Sequence, residues 1–178
     1  ITPDKDRIIL GTPFPDWTGS ITNTFTYKDF DFSVFIYTRQ GEMKWSKFHT
    51  ELQNEYLGEI NQLKVDYWTP ENPSNTFYRP GFNGGNTSLL CYKKTSFVRV
   101  GNMTLGYNMP LKWLKNCHIS KMRLYVTAIN PFIFTNYTGL DPELGANATN
   151  GSGNADNTAT YNGGVSVSSY QFGINVTF

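Results

Sequence analysis

The chain has 178 residues, 15 lysines and arginines against 14 acids, a net charge of +1, 16% aromatic residues and a mean hydropathy of −0.41. That balance excludes a global basic field for nucleic acid, and no run approaches the ~18 apolar residues of a membrane helix. Cys91 and Cys117 are too few for a disulfide framework or a zinc site, and His49 and His118 stand alone and read as ordinary surface or loop residues. Asn-x-Ser/Thr triplets such as Asn102-Met103-Thr104 are what an Asn/Thr-rich chain produces by chance. The chain opens on Ile1 with neither methionine nor leader, as a processed or partial chain would.

Residues 17–27 alternate, with Trp17, Gly19, Ile21, Asn23, Phe25 and Tyr27 on one face and serine and threonines on the other. The short turn Tyr27-Lys28-Asp29-Phe30 leads into a strand over about 30–39, and the two read as a hairpin. In that strand Phe30, Phe32, Val34 and Ile36 oppose Asp31, Ser33, Phe35, Tyr37 and Arg39. A long connection over about 40–95 follows. Thr50, with Gln53 three residues on, predicts the cap of a short helix through Leu57. The segments Trp68-Thr69-Pro70-Glu71-Asn72-Pro73 and Gly81-Phe82-Asn83-Gly84-Gly85-Asn86 break regular structure. A connection this long is uncommon in a compact domain unless it is functional.

Strand pattern returns at 97–109, with Met103, Leu105, Tyr107 and Met109 on one face and Val100, Asn102, Thr104, Gly106 and Asn108 on the other. Carried through unbroken, that phase puts Arg99 with the apolar face. Pro110 ends the strand, and a turn with Lys112, Trp113 and Lys115 leads to a strand over about 121–134. There Met122, Leu124, Val126, Ala128, Phe132 and Phe134 oppose Arg123, Tyr125 and Thr127. A second long loop, 135–164, is rich in Gly, Asn, Ala and Thr. The final strand, 166–178, alternates Tyr170, Phe172, Ile174, Val176 and Phe178 with Gln171, Gly173, Asn175 and Thr177.

A soluble domain usually frays at its end in polar residues; here the apolar face runs to a final aromatic. The connections run short, long, medium, long, so an antiparallel meander gathers both long ones at one end, as transmembrane barrels do. A soluble β-sandwich binding module of the carbohydrate-binding kind is the alternative. Five strands leave two bare edges that lipid cannot satisfy, and single-chain barrels start at eight strands, so further strands of the same polypeptide are required. This topology puts Cys91 and Cys117 at opposite ends of a strand of ~13 residues at ~3.4 Å each, well beyond the ~7 Å reach of a disulfide. They are expected not to be bonded to each other.

Five segments carry a resemblance: Tyr27-Lys28-Asp29-Phe30-Asp31-Phe32, Trp68-Thr69-Pro70-Glu71-Asn72-Pro73-Ser74-Asn75, Ser96 to Tyr107, Asn136-Tyr137-Thr138-Gly139-Leu140-Asp141-Pro142-Glu143, and Gly173 to Phe178. In order, across nearly the whole chain, they resemble the C-terminal end of SusC-like TonB-dependent transporters of Bacteroidetes outer membranes. The resemblance implies an all-β fold, the last five antiparallel strands of a 22-stranded transmembrane barrel with long extracellular loops. It implies energised import of large nutrients, oligosaccharides or peptides, with a SusD-like surface lipoprotein as lid. The plug and the TonB-contacting segment lie in an N-terminal part absent from this sequence. No enzyme activity, cofactor or nucleic-acid partner is implied. Asp4 and Asp6 lie where relatives often carry an acidic loop, but without the glycine and terminal glutamate of a calcium loop no metal is expected.

On this reading Phe30, Phe32, Val34, Ile36, Met103, Leu105, Leu124 and Val126 meet lipid, and Asp31, Tyr37, Arg39, Asn102, Thr104, Tyr125, Gln171 and Asn175 face the lumen. Arg99 is expected above the bilayer at the outer end of its strand. Tyr67, Trp68, Phe77, Tyr78 and Arg79 are the candidate contacts for ligand or lid, because aromatic faces stack on sugars and peptides and anchor interfaces. Tyr170, Phe172, Ile174, Val176 and Phe178 resemble the signal that barrel-assembly machinery reads. Asp141 and Glu143 form a carboxylate pair whose spacing does not make it catalytic.

Overall fold

A computed structural model describes residues 8–46, 48–49, 64–79, 91–114, 118–143 and 166–178. The expected helix from Thr50 through Leu57, the Gly81–Asn86 segment and Cys117 lie outside them, and with Cys117 the expectation about the cysteine pair. In chain order the described elements are β1 (Trp17–Tyr27), β2 (Phe30–Gln40), β3 (Met43–Trp45), β4 (Tyr92–Lys94), β5 (Phe97–Asn108), a single helical turn α1 (Leu111–Leu114), β6 (Lys121–Thr135) and β7 (Ser169–Thr177).

The chain divides into two compact units. One holds 17–40, 97–135 and 166–178 and is a single antiparallel sheet, in the order β1-β2-β5-β6-β7. Its first and last strands do not pair with each other, so β1 and β7 are edges. Directly opposed residues share a face, and the register turns the alternation of each strand into rows across the sheet. Phe25, Phe32, Leu105, Val126 and Phe172 form one row, and Tyr27, Phe30, Tyr107, Leu124 and Ile174 the next. The other face carries Thr24, Ser33, Thr104, Thr127 and Gln171 in one row. This is one layer with an apolar and a polar face, not the two facing layers of a sandwich. Phe172 is 83% exposed, Ile174 61% and Leu105 45%, so among the described residues no second layer seals the apolar face.

The phase expected for 97–100 is wrong, and the cause is a bulge. On β5 the register with β2 slips by one between Asn102 and Val100, so Gly101 has no partner of its own. Val100 then lies opposite Ile36 and Phe132 on the apolar face, whereas Arg99 lies opposite Tyr37 on the polar one. Arg99 is 2% exposed on that polar face, near the end of β5 that joins the long connection. A glycine suits the spot: an added Cβ would sit 2.9 Å from a Phe35 ring carbon and 3.3 Å from one of Tyr37. β6 answers with Asn130 at φ 49°, just before Pro131. A bulge of this kind leaves one residue unpaired and bends and twists its strand.

The second unit gathers 1–16, 41–96 and 136–165. Its described part contains a two-stranded ribbon that the sequence pattern did not announce, β3 with β4, pairing Met43 with Lys94 and Trp45 with Tyr92. Beside it the Glu42 carbonyl accepts from Thr95 N at 3.1 Å, and the Met43 N–H donates to Thr12 O at 2.7 Å. The ribbon therefore closes the base of the long connection and brings its two ends together.

Candidate ligand-facing surfaces

The polar face of the sheet is built from short side chains and two glycines that leave room for large ones. Asp31 on β2 and Arg123 on β6 are separated by β5, yet they pair at 2.5 Å and, through Nε, at 3.1 Å. They meet because Gly106 lies between them, opposite Asp31 on one side and Tyr125 on the other. A Cβ there would stand 2.6 Å from the Asp31 carboxylate. Asn108 donates to the same carboxylate at 3.3 Å, and the Arg123 guanidinium lies 5.3 Å from the centre of the Tyr125 ring. Tyr125 in turn leans over Gly173, where an added Cβ would strike its ring. Thr104 and Thr127 share a hydrogen bond of 2.9 Å in the next row. The register puts Asp31, Tyr37, Arg39, Asn102, Thr104, Tyr125, Gln171 and Asn175 on this one face. Towards the other end of the strands the surface turns aromatic: Tyr37 meets Phe35 at 5.6 Å and the edge of Phe97 at 5.8 Å.

In the loop unit, Trp68, Phe77, Tyr78 and Arg79 line an open cleft of about 310 Å³ together with Ser74, which the sequence marks only as part of the Trp68–Asn75 segment. Tyr67 does not line it but pairs through its backbone with Phe77. The Trp68–Asn75 segment is folded on itself: Thr69 and Asn72 exchange backbone hydrogen bonds of 3.1 Å each, and the Asn72 amide donates to Asp66 at 2.7 Å. The Thr69 hydroxyl also accepts from the Asn72 N–H at 3.0 Å, with prolines at Pro70 and Pro73 limiting other conformations. Trp68 is 38% exposed and Tyr67 47%, leaving aromatic surface open to a partner.

The same unit has a buried polar centre that the sequence reading missed. His49 is 1% exposed, not a surface residue. Its Nδ1 lies 2.7 Å from Ser46 Oγ and its Nε2 2.8 Å from Thr138 Oγ1, and Ser46 Oγ lies 2.8 Å from the Tyr137 hydroxyl. Burial holds the imidazole down to about 4, and the nearby Lys93 charge pushes the same way. The neutral ring donates at one nitrogen and accepts at the other, so both ends are satisfied. Burial also raises the Tyr137 phenol above its ordinary value, against the lowering effect of the Ser46 hydrogen bond. Nearby, buried Lys44 and Glu42 pair at 3.1 Å and Thr95 donates to Glu42 at 3.1 Å. Asp141 accepts from the Glu143 backbone at 2.8 Å, so this carboxylate stabilises a turn. His118, by contrast, is exposed in a turn as expected. The contacts of Ser46 with Tyr137 and of His49 with Thr138 tie segments about 90 residues apart.

No protein-family model matches the chain. TonB-dependent receptor P3 of Formosa agariphila is 31% identical over 97% of this chain and 17% of its own length. TonB-dependent receptor P26 of the same organism is 30% identical over 100% of this chain and 18% of its own length. TonB-dependent receptor SusC of Bacteroides thetaiotaomicron is 29% identical over 78% and 14%. Among solved structures, the RagAB peptide importer in its open-open state matches 100% of this chain and 19% of the other, at a TM-score of 0.77 and 22% identity. Its closed-closed state matches equally, again with a TM-score of 0.77. The chain spans under a fifth of the length of these relatives, and they are named as receptors and importers rather than enzymes. With a sheet that fits part of an importer's fold, and a sequence related along its whole length to such receptors, the chain belongs to the SusC-like TonB-dependent receptors of the outer membrane.

Proposed function

We propose that this chain is the C-terminal part of a 22-stranded barrel that imports large nutrients, oligosaccharides or peptides, across the outer membrane. The observation that carries this reading is the sheet itself: an apolar face continuous over five strands, a polar face behind it, and two edges free to pair. From Phe30 to Gln40 β2 runs ten steps of ~3.4 Å, and at the ~40° tilt of barrel strands this rises ~26 Å, the height of a barrel's apolar band. The polar face lines the conduit, where the Asp31–Arg123 pair and Tyr125 are fixed charges and rings against the plug and passing cargo. The cleft of Trp68, Phe77, Tyr78 and Arg79, with Tyr67 beside it, contacts the cargo or a SusD-like lipoprotein lid. TonB supplies energy through the N-terminal part of the transporter. The last strand, ending in Tyr170, Phe172, Ile174, Val176 and Phe178, is read by the barrel-assembly machinery.

The test is growth of the source bacterium on a panel of single oligosaccharides and peptides, with and without the gene for the whole receptor. Deletion is expected to abolish growth on one class of nutrient, removal of TonB to do the same, and a surface lipoprotein to co-purify with the receptor. Unchanged growth on every nutrient whose uptake depends on TonB would reject the reading.

A further inference from the structure

At the end of the sheet where the short connections lie, positive charge and aromatic surface coincide. Among their described residues, the two connections there hold Lys28, Lys112 and Lys121 against one acid, Asp29, in a chain whose net charge is only +1. The turns are adjacent: the Asn108 N–H donates to Asp29 O at 2.8 Å, and Ser120 donates to Thr177 O at 2.8 Å, bringing Lys121 to the same rim. Lys28, Lys112 and Lys121 are exposed, and among the described residues none of the three pairs with a carboxylate. Lys28 keeps φ at 52°, a left-handed turn position that Gly, Asn or Asp fills at less cost, with its ammonium 5.4 Å from the centre of the Tyr27 ring.

Apolar surface accompanies these charges. Leu111 and Trp113 of α1 are 60% and 64% exposed, although Leu114 of the same turn is buried. Tyr27, Phe30 and Tyr107 form one row of the apolar face directly beside the turns, with Phe30 and Tyr107 rings 4.6 Å apart. An acidic protein partner would account for the lysines alone. Lysines bordering an aromatic row that continues the apolar face fit a layer with anionic heads above hydrocarbon. We infer that this rim, centred on Lys28, Lys112 and Lys121 with Trp113 as its wedge, binds the headgroups of anionic phospholipid in the periplasmic leaflet.

The inference rests on the barrel reading proposed above, in which the long loops lie outside the cell and the short turns therefore at the periplasmic face. A lysine near an anionic lipid surface is worth roughly a fivefold change in partition. The test uses the whole receptor, delipidated in mild detergent and offered phosphatidylglycerol or phosphatidylethanolamine, with retained lipid counted by native mass spectrometry. Wild type is expected to retain phosphatidylglycerol preferentially, and the triple variant Lys28→Gln/Lys112→Gln/Lys121→Gln to lose at least tenfold of that retention. If the triple variant does not fold, Lys112→Gln alone is expected to lose roughly fivefold. Equal retention of the two lipids by wild type, or retention unaffected by the substitutions, overturns the inference. A second arm isolates the orientation: Lys112→Cys, with Cys91 and Cys117 replaced by serine, should react with an impermeant maleimide only in opened cells. Reaction in intact cells overturns the orientation itself, whereas periplasmic labelling with unaffected lipid retention overturns only the lipid site.

Discussion

Met103 and Asn102 are neighbours in sequence on opposite faces of the sheet, and giving each the same charge separates the two environments. Met103 lies opposite Val34 and Ala128, four residues along β2 from the aromatic row at Phe30. Four steps of ~3.4 Å at ~40° of tilt lift it ~10 Å above that row, close to the middle of a ~25 Å apolar band. A lysine at that depth on the lipid face costs about 2–4 kcal/mol, which lowers the folding equilibrium by roughly 30- to 1,000-fold. Asn102 is exposed on the polar face opposite Phe35 and Ile129, and a lysine there should cost no more than about 0.5 kcal/mol. The assay is reversible folding of the whole receptor into lipid vesicles across a urea series, read by the gel shift of the folded barrel. Met103→Lys is expected to shift the midpoint strongly and Asn102→Lys hardly at all. Equal costs, or a larger one at Asn102, would refute the assignment of faces.

Other expectations follow from single contacts. Gly106→Val should drive Arg123 and Asp31 apart, so the coupling between them in a double-mutant cycle, about 1 kcal/mol with the glycine, should fall to near zero with valine. Coupling that survives valine would show that the glycine is not what allows the pair. His49 has a folded value of about 4 against an ordinary 6.5, so the unfolded chain takes up its proton first as pH falls. Its contribution is whole above about pH 6.5 and lost on the way down to about 4, on the order of 2–3 kcal/mol. Hydrogen exchange in peptides spanning Ser46 and Tyr137 should therefore accelerate over that window, and His49→Asn should flatten the response; exchange indifferent to pH contradicts the burial argument. Tyr137→Phe leaves Ser46 short of one partner in a buried site and should lower the protection of the same peptides by about 1–2 kcal/mol, with no effect on vesicle insertion.

Alternation made the sheet legible because each long strand has one uncovered apolar face, and a period of two survives in the sequence wherever the ladder is regular. It failed where the ladder is not regular. The phase of Met103, Leu105 and Tyr107, carried through Gly101 as one more strand residue, puts Arg99 and Val100 on the wrong faces. A glycine inside a strand, with Asn130-Pro131 facing that part of the sheet, was the available signal. The ribbon of β3 and β4 has three residues a side and joins positions about 50 apart, too short for any periodicity to register. The aromatic cleft was legible because Trp68, Phe77, Tyr78 and Arg79 are close in sequence and the segment folds on itself. His49 was not, because its partners Tyr137 and Thr138 approach only through the fold.

The central claim is that this sheet is part of a membrane wall whose apolar face changes phase at Gly101. Single cysteines from Phe97 to Tyr107 of the otherwise cysteine-free receptor, labelled with a fluorophore and quenched by brominated lipid, test it most directly. Strong quenching is expected at Leu105 and Met103 and, past the glycine, at Val100 and Val98, with weak quenching at Thr104, Asn102, Arg99 and Phe97. Quenching that alternates unbroken through position 101, with Arg99 and Phe97 as lipid-exposed as Met103, or that shows no alternation at all, would contradict it.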